Sequence, residues 1–422
     1  MTRRSIAFAA VLLAALAALA WWAWPDRVAD NGAAAGRPAT AESVARGAYL
    51  VRVGNCTACH TERGGVPFAG GRPIETPFGT VYSTNLTPHP EAGLGAWSRE
   101  DFWQALHDGR SRDGRLLTPA FPYPNYTVVA RADADAMYDY LRSLPAAGEP
   151  NRPHRLRWPY RTQAALALWR ALYFERAPRL EQAPAAGRER GAYLVQGLGH
   201  CSACHGPRNA LGAGSNLMDL SGGLIPMQNW YAPSLTSPAE AGVANWPLAE
   251  IERLLATGVS ASGTVLGPMA EVVLHSTQHL ARSDLRAMAM FLQSLPQAAA
   301  PAVQPAVPTP REMAERGSKL YERHCAACHG ARGEGVPGAY PALAGNRAVT
   351  LPVTANLVQV VLHGGFAPAT AGNPRPFGMP PFATLLGDRD VAAVLTHVRT
   401  SWGNRAAPVA EVDVVRQRGT TY

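Results

Sequence analysis

The sequence predicts an all-α fold of three tandem helical domains, joined by Pro-rich linkers and preceded by one N-terminal hydrophobic helix. Three observations lead to this prediction. The pentapeptide Cys-x-x-Cys-His occurs three times in the 422 residues and uses all six cysteines. Each copy lies between segments with the apolar spacing of amphipathic helices. Stretches rich in proline separate the copies, and the chain length suits about three domains of roughly 150 residues.

The repeated pentapeptide is the attachment motif for c-type haem. Two thiols add across the vinyl groups of the haem, and the adjacent histidine reaches the iron as its proximal ligand. The motif therefore predicts three covalently bound haem c groups. The attachment residues are Cys56, Cys59, Cys201, Cys204, Cys325 and Cys328, and the proximal ligands are His60, His205 and His329.

Zinc and disulfide bonds are the other chemistries that paired cysteines suggest. A structural zinc ion needs four ligands, which usually come from two closely spaced pairs. The pairs in this chain lie more than a hundred residues apart. Disulfide bonds would leave the repeated histidine without a role, so the pattern favours haem at each position.

Three helices are predicted around each motif. A helix before the motif contains Arg46-Gly47-Ala48-Tyr49 in the first copy, and related runs begin at Arg190 and Arg316. A second helix follows the motif and stops at a glycine, namely Gly109, Gly258 or Gly364. The closing helices are 132–144, 283–295 and 388–402. The first two end in Ser-Leu-Pro, and proline cannot continue a helix.

Composition marks the boundaries between the repeats. The stretch 296–311 is almost entirely Pro, Ala, Val and Gln, which is typical of a semi-rigid linker. An apolar helix is predicted at 162–174, between the first two repeats. The predicted parts are a leader and linker (1–40), a first domain (41–145), a linker with the apolar helix (146–184), a second domain (185–296), a Pro/Ala-rich linker (297–310), a third domain (311–404) and a tail (405–422).

The N-terminus predicts export of the chain. Arg3 and Arg4 precede an uncharged run over residues 5–24, which ends in tryptophans. A helix of about twenty residues spans about 30 Å, the thickness of a bilayer core. Arginines hold their end in the cytoplasm, and tryptophans suit the far interface. This pattern favours an uncleaved signal-anchor at residues 5–24 over a signal peptide cleaved after Ala20.

Charge and motif content exclude several classes of function. The formal net charge is +8, and Lys319 is the single lysine among 39 basic residues. No basic cluster is interleaved with aromatic residues, so we expect no nucleic-acid partner. No Gly-x-Gly-x-x-Gly motif follows a predicted strand, and the spaces between the repeats are too small for a catalytic domain. Electron transfer, with substrate oxidation on another polypeptide, is the function that the sequence favours.

A methionine is the usual sixth ligand of a low-spin electron-transfer haem, and it raises the reduction potential. Met269 lies 11 residues after Gly258 in a Gly-Pro-Met run, and Met379 lies 15 residues after Gly364 in a Gly-Met-Pro-Pro-Phe run. Prolines next to the sulfur suit a stiff loop that presents a ligand. Met269 and Met379 are therefore the predicted sixth ligands of the second and third haems.

The first repeat breaks this rule. Phe121 occupies the corresponding position, 12 residues after Gly109, and a phenyl ring cannot bind iron. The first haem is then five-coordinate or takes another ligand. Met137, His107 and His89 are the candidates.

Each repeat, read as helix, haem motif, loop, helix, ligand loop and helix, resembles the class I cytochrome c fold. The Trp-Ser-x-x-Asp-Phe helix at Trp97, the stretch 123–126 and the run 364–382 extend the resemblance. Together they are similar to the trihaem cytochrome c subunit of bacterial membrane-bound alcohol, gluconate and aldehyde dehydrogenases. The resemblance implies three tandem class I cytochrome c domains on the periplasmic side of the inner membrane.

The family further implies an electron relay. Its electrons would come from a catalytic dehydrogenase subunit that carries flavin, pyrroloquinoline quinone or molybdenum cofactor, and would pass to ubiquinone or a terminal oxidase. Two other functions stay open. One is a peroxidase-like haem enzyme that uses an open iron next to Phe121. The other is a cytochrome component of a terminal oxidase complex.

Overall fold

The computed structural model describes residues 37–299 and 309–419. The predicted N-terminal hydrophobic helix lies outside these residues. Within them, no helix is both long enough and apolar enough to cross a bilayer. The described chain divides into two compact units, one of residues 37–48 and 60–182 and one of residues 49–59 and 183–419.

The all-α prediction is wrong, because seven short strands in the described residues form three antiparallel sheets. Strands of two to four residues are too short to give an alternating pattern, so the sequence offered only its helical periodicity. The first sheet has the order β1 (Pro73–Thr76), β2 (Gly79–Tyr82), β3 (Arg155–Leu156), the second pairs β4 (Gly223–Ile225) with β5 (Trp230–Ala232), and the third pairs β6 (Gly365–Phe366) with β7 (Gly378–Met379).

Helices form the rest of the regular structure, and those of the first repeat are as follows. They are α1 (Ala41–Val53), α2 (Cys56–Cys59), α3 (Arg99–Asp108), α4 (Tyr123–Tyr126) and α5 (Arg131–Ser143), and α6 (Gln163–Tyr173) follows them. A capping box between Ser98 and Asp101 starts α3. Gly109 ends it in the left-handed region at φ 58°, as the predicted glycine stop requires.

The second and third repeats belong to the second unit, and each has a first helix, a motif turn, a second helix and a closing helix, as the first repeat does. The second has α7 (Gly187–Gln196), α8 (Ser202–His205), α9 (Leu248–Thr257), α10 (Pro268–His275), a 3-10 turn (Thr277–His279) and α11 (Arg282–Gln293). The third has α12 (Arg311–His324), α13 (Ala326–His329), α14 (Arg347–Thr350), α15 (Ala355–His363), α16 (Asp388–Thr400) and α17 (Glu411–Arg418). The closing helices α5, α11 and α16 end within two residues of the predicted bounds.

The first helix of each repeat crosses its closing helix at a glycine. A Cβ atom on Gly47 would lie 1.8 Å from the carbonyl oxygen of Ala136. On Gly191 it would lie 1.9 Å from that of Ala287, and on Gly317 it would lie 2.3 Å from that of Ala393. No side chain fits at these distances. The repeated Arg-Gly dipeptide therefore marks the point where two helix backbones touch.

The arginine before each of these glycines pairs with an aspartate of the closing helix. The Nε atom of Arg46 donates to Asp133 at 2.8 Å, and that of Arg316 donates to Asp390 at 2.6 Å. Arg190 makes two such bonds to Asp284, at 3.0 and 2.9 Å. The pair in the second repeat is buried, whereas Arg316 in the third is largely exposed. The pairs fix the rotation of one helix against the other.

The predicted apolar helix at 162–174 is present as α6, with Thr162 as its N-cap. It packs on its own haem repeat, since the Trp169 ring lies 6.4 Å from that of Tyr123. The side-chain amide of Gln163 also donates to the carbonyl oxygen of Leu116 at 3.2 Å. Its outer face stays open, with Leu168 57% and Leu172 59% exposed.

Substitution of the crossing glycine tests the helix contact. We expect Gly191→Ala to destabilise the second unit by about 1–3 kcal/mol, because the new methyl group overlaps a backbone carbonyl that cannot move alone. Urea denaturation followed by far-UV circular dichroism measures the change. Gly419→Ala is the matched control, since a Cβ there would lie 3.9 Å from its nearest neighbour. Equal stability of the two variants would contradict the crossing.

The buried and exposed arginine–aspartate pairs give a second comparison. We expect Asp284→Ala to lower the free energy of unfolding by about 3–5 kcal/mol, because it leaves the Arg190 guanidinium buried without the Asp284 carboxylate. Asp390→Ala removes the corresponding aspartate of the third repeat, where Arg316 remains in water, and should change stability little. The midpoints of urea unfolding measure both. A cost for Asp390→Ala as large as that for Asp284→Ala would show that burial does not decide the contribution.

Candidate haem sites

Each haem motif forms a single helical turn that follows the first helix of its repeat. These turns are α2, α8 and α13, and none of the six cysteines, all of which lie in the described residues, forms a disulfide bond. Cys59 is exposed and the other five are half-buried. In each copy the two thiols and the histidine thus come from one short stretch of backbone, as the motif requires.

The three motif histidines are oriented in the same way. The Nδ1 atom of His60 lies 2.6 Å from the carbonyl oxygen of Thr84, that of His205 lies 2.7 Å from Pro233, and that of His329 lies 3.0 Å from Pro341. A carbonyl oxygen only accepts, so Nδ1 carries the proton in all three. The lone pair is then on Nε2, and this is how a neutral histidine ligand is held for a metal.

Two more hydrogen bonds recur around each histidine. In the first bond, the N–H of a glycine donates to the carbonyl oxygen of the histidine. In the second, the N–H of a leucine donates to the carbonyl oxygen of the residue two positions before that glycine. This leucine lies two residues after the residue whose carbonyl oxygen accepts from Nδ1. The bonds are Gly70 to His60 (2.9 Å) and Leu86 to Phe68 (2.8 Å), Gly222 to His205 (2.7 Å) and Leu235 to Leu220 (2.8 Å), and Gly335 to His329 (2.8 Å) and Leu343 to Gly333 (2.7 Å).

These three bonds form a frame that we call the histidine frame. Each frame glycine has a positive φ, 77° at Gly70, 91° at Gly222 and 67° at Gly335, which favours glycine there. Sequence reasoning missed the frame because backbone atoms make it and its spacing differs in every repeat. The glycine comes 10, 17 or 6 residues after the histidine, so no fixed pattern reveals it.

Desolvation sets the protonation of the motif side chains. It lowers the pKa of His60, His205 and His329, which favours the neutral imidazole that can bind iron. Burial raises the pKa of Cys56 and Cys201 to about 12, with the neighbouring thiol of the motif as the next cause. Burial therefore favours the protonated thiol at Cys56 and Cys201.

The donor set fits haem c at each motif. Two protonated thiols can add to vinyl groups, and a neutral histidine presents Nε2 beside them. Within residues 37–299 and 309–419, no three His, Cys, Asp or Glu side chains converge as a metal-binding group. His60, His205 and His329 would hold the iron, and the paired cysteines would hold the porphyrin.

The two predicted methionine ligands lie at the start of a helix and in a strand. Met269 is the second residue of α10 and packs against a small core of Val265, Ala270 and Val273. Met379 ends β7, where it pairs with Gly365. Both are half-buried, and their assignment as sixth ligands stays a prediction.

The three candidate substitutes for a methionine in the first repeat are engaged elsewhere. The Met137 side chain is 2% exposed and lies on the buried face of α5. The His107 ring stacks on Trp103 at 4.2 Å, and its Nδ1 atom lies 2.9 Å from an oxygen of Asp108. The Nδ1 atom of His89 accepts from the N–H of Ala92 at 3.1 Å.

In the second unit, the chain around the first motif contacts the second repeat. Helix α2, with Cys56 and Cys59, lies against α10, which carries Met269. The Ser276 hydroxyl donates to the carbonyl oxygen of Val53 at 3.0 Å. Burial raises the pKa of the Cys204 thiol, and the nearby Cys59 thiol adds to this rise.

The second and third repeats are joined by hydrogen bonds within the same unit. The side-chain amide of Asn356 both accepts from the N–H of Tyr231 and donates to its carbonyl oxygen, each at 2.7 Å. Arg347 donates to the carbonyl oxygen of Gly242 at 2.8 Å and covers the Trp246 ring at 5.2 Å. These contacts hold the two repeats against each other.

Comparison with known proteins finds a matching family model and relatives of similar sequence. The family model for cytochrome c matches residues 44–145 and 314–402. The chain is 35% identical to the cytochrome c subunit of a quinone alcohol dehydrogenase from Gluconacetobacter polyoxogenes, over 100% of this chain and 91% of that protein.

Two further relatives have similar coverage. The chain is 37% identical to the gluconate 2-dehydrogenase cytochrome c subunit of Pantoea cypripedii, with 89% of each chain covered. It is 32% identical to the fructose dehydrogenase cytochrome subunit of Gluconobacter japonicus, over 90% of this chain and 84% of that protein. The family model leaves out residues 185–296, where the histidine frame nevertheless recurs.

Removal of one motif thiol tests covalent attachment. In Cys201→Ser, we expect haem at the second motif to be held by Cys204 alone. This haem then keeps one vinyl group. Because it is one of three haems, about a third of the alkaline pyridine haemochrome absorption should move to longer wavelength. Ser202→Ala changes a neighbouring position that the motif leaves free, and its spectrum should match the unsubstituted protein. An unchanged spectrum for Cys201→Ser would contradict thioether attachment at this site.

Proposed function

The chain belongs to the family of cytochrome c subunits of dehydrogenases, and from this premise we propose that it relays electrons through three covalently bound haem c groups. The electrons pass from a catalytic dehydrogenase subunit to ubiquinone or a terminal oxidase. The observation that carries the proposal is the histidine frame, which holds His60, His205 and His329 alike.

Haem c, when bound, supplies an iron that takes up and releases one electron. The chain supplies the rest. The carbonyl acceptors of Thr84, Pro233 and Pro341 fix the tautomer and the orientation of each histidine before any iron is present. Little reorientation of the ligand is then needed when the charge of the iron changes, which suits rapid electron transfer.

Contacts inside the second unit support a continuous path. The turn with Cys56 and Cys59 lies against α10, so the first attachment site and the Met269 side of the second site are neighbours. The Asn356–Tyr231 hydrogen bonds then hold the third repeat against the second. A relay needs its centres close together, and these contacts support that arrangement for the repeats that would carry them.

A catalytic dehydrogenase subunit is the partner that the family indicates. The relatives are named as subunits of alcohol, gluconate and fructose dehydrogenases. Within our proposal the partner oxidises the substrate with flavin, pyrroloquinoline quinone or molybdenum cofactor. Within our proposal the chain itself accepts only electrons. Its Gly-x-Gly-x-x-Gly run at 333–338 follows the third haem motif, whereas a dinucleotide-binding motif follows a strand.

We place the relay on the periplasmic side of the bacterial inner membrane. Support comes from the N-terminal sequence, in which Arg3 and Arg4 precede an uncharged run to Trp24. The cysteine pattern agrees with an exported protein, because every cysteine belongs to a haem motif. Cell fractionation of an epitope-tagged chain tests the location.

Reduction by a partner tests the relay directly. We expect the protein, purified from its native host, to co-purify with a large dehydrogenase subunit and to show a mass equal to the chain plus three haems. Addition of the substrate should then reduce the haems, while the isolated chain should stay oxidised. Stopped-flow absorption measures the reduction. A bare-chain mass, substrate oxidation by the isolated chain, or co-purification with an oxidase core would each contradict the proposal.

A further inference from the structure

We propose that the first haem site has no sixth ligand from the protein, and that its open position binds a small exogenous ligand such as carbon monoxide or cyanide. The proposal rests on the proposed function only in requiring haem at Cys56 and Cys59. It concerns Phe121, which has the same register after the helix-ending glycine as Met269 has in the second repeat.

A shared hydrogen bond fixes the equivalence of these two residues. In the first repeat the N–H of Leu117 donates to the carbonyl oxygen of Gly109 at 2.8 Å. In the second repeat the N–H of Val265 donates to that of Gly258, also at 2.8 Å. The glycines are the left-handed ends of α3 and α9. The chain therefore leaves both helices in the same way.

Counting from this bond aligns the loops without an insertion. Phe121 follows Leu117 by four residues, and Met269 follows Val265 by four residues. The loop in the first repeat is one residue longer, but the extra residue falls before Leu117, between the bridged residues Arg110 and Leu116. Phe121 thus has the register of Met269, although it lies in a bend just before α4, whereas Met269 lies in the first turn of α10.

Phe121 cannot replace the thioether as a ligand. A phenyl ring has no lone pair for iron, and this ring packs against Tyr126 with centroids 5.3 Å apart. Tyr126 is buried, so the contact holds Phe121 as an apolar wall. An apolar wall beside an open iron favours small neutral or weakly hydrated ligands over water.

The described residues of the first unit offer few other donors. Met137 is buried in α5. His89 uses Nδ1 to accept backbone N–H groups. His107 is the serious competitor, because its Nε2 atom is buried without a hydrogen-bond partner in the part of the chain described. Its ring, however, is stacked on Trp103, and the Arg131 and Arg179 guanidinium groups cover that indole at 5.6 and 5.0 Å.

Spin state and ligand stoichiometry test the proposal on the full-length holoprotein. Mass spectrometry first establishes three haems, so that a failure of haem attachment is recognised separately. We then expect a ferric axial high-spin resonance from one haem and, after reduction, binding of about one carbon monoxide per chain. Phe121→Met should abolish the high-spin signal and carbon monoxide binding, and should add a methionine-to-iron charge-transfer band.

Two matched variants separate the thioether from the space it fills. Phe121→Leu keeps the position apolar and should stay high-spin, binding about one carbon monoxide per chain. Met269→Leu removes the corresponding sulfur of the second repeat and should raise the stoichiometry to about two. These variants need no catalytic partner, so they are independent of the relay.

Three results would overturn the proposal. The first is a wild-type protein that is wholly low-spin and binds no carbon monoxide. The second is a bis-histidine low-spin resonance that disappears in His107→Gln, which would make His107 the sixth ligand. The third is a Phe121→Met protein, shown by mass to carry three haems, that keeps the high-spin signal.

Discussion

The hydrogen bond from each motif histidine to a backbone carbonyl is the constraint on which the rest of the molecule depends. It fixes the tautomer of His60, His205 and His329 and leaves Nε2 as the only ring atom that can reach iron. The acceptors Thr84 and Pro233 follow the hairpins of the first and second repeats, whereas Pro341 is not next to a strand of the third sheet. Two of the small sheets that the sequence failed to predict thus lead into the acceptor of their site.

The helices supply the opposite support. Each first helix must approach its closing helix closely enough for the backbones to touch, and a glycine makes this possible at Gly47, Gly191 and Gly317. The adjacent arginine–aspartate pairs then fix the rotation of the two helices. Because the motif turn follows the first helix directly, the position of this crossing determines where the two thiols and the histidine lie.

The third repeat differs from the other two in how it presents its predicted ligand. Met269 lies in the first turn of a helix, whereas Met379 lies in a two-residue strand paired with the glycine after α15. The first repeat shares with the second the hydrogen bond back to the helix-ending glycine, but it has Phe121 in the register of the sulfur, in a bend that precedes α4. With three haems bound, as we propose, sites with the same histidine frame would differ at the other axial position, which would tune their potentials separately.

The sequence by itself determined the chemistry, the number of repeats and the main helices. Covalent attachment needs cysteines and histidine at one fixed spacing, and amphipathic helices have a period that is visible over ten or more residues. The tertiary structure alone decided the acceptors of the histidine frame and the short strands. Backbone atoms of Thr84, Pro233 and Pro341 make these bonds, and a backbone carbonyl is the same in every residue type, so no sequence pattern distinguishes it.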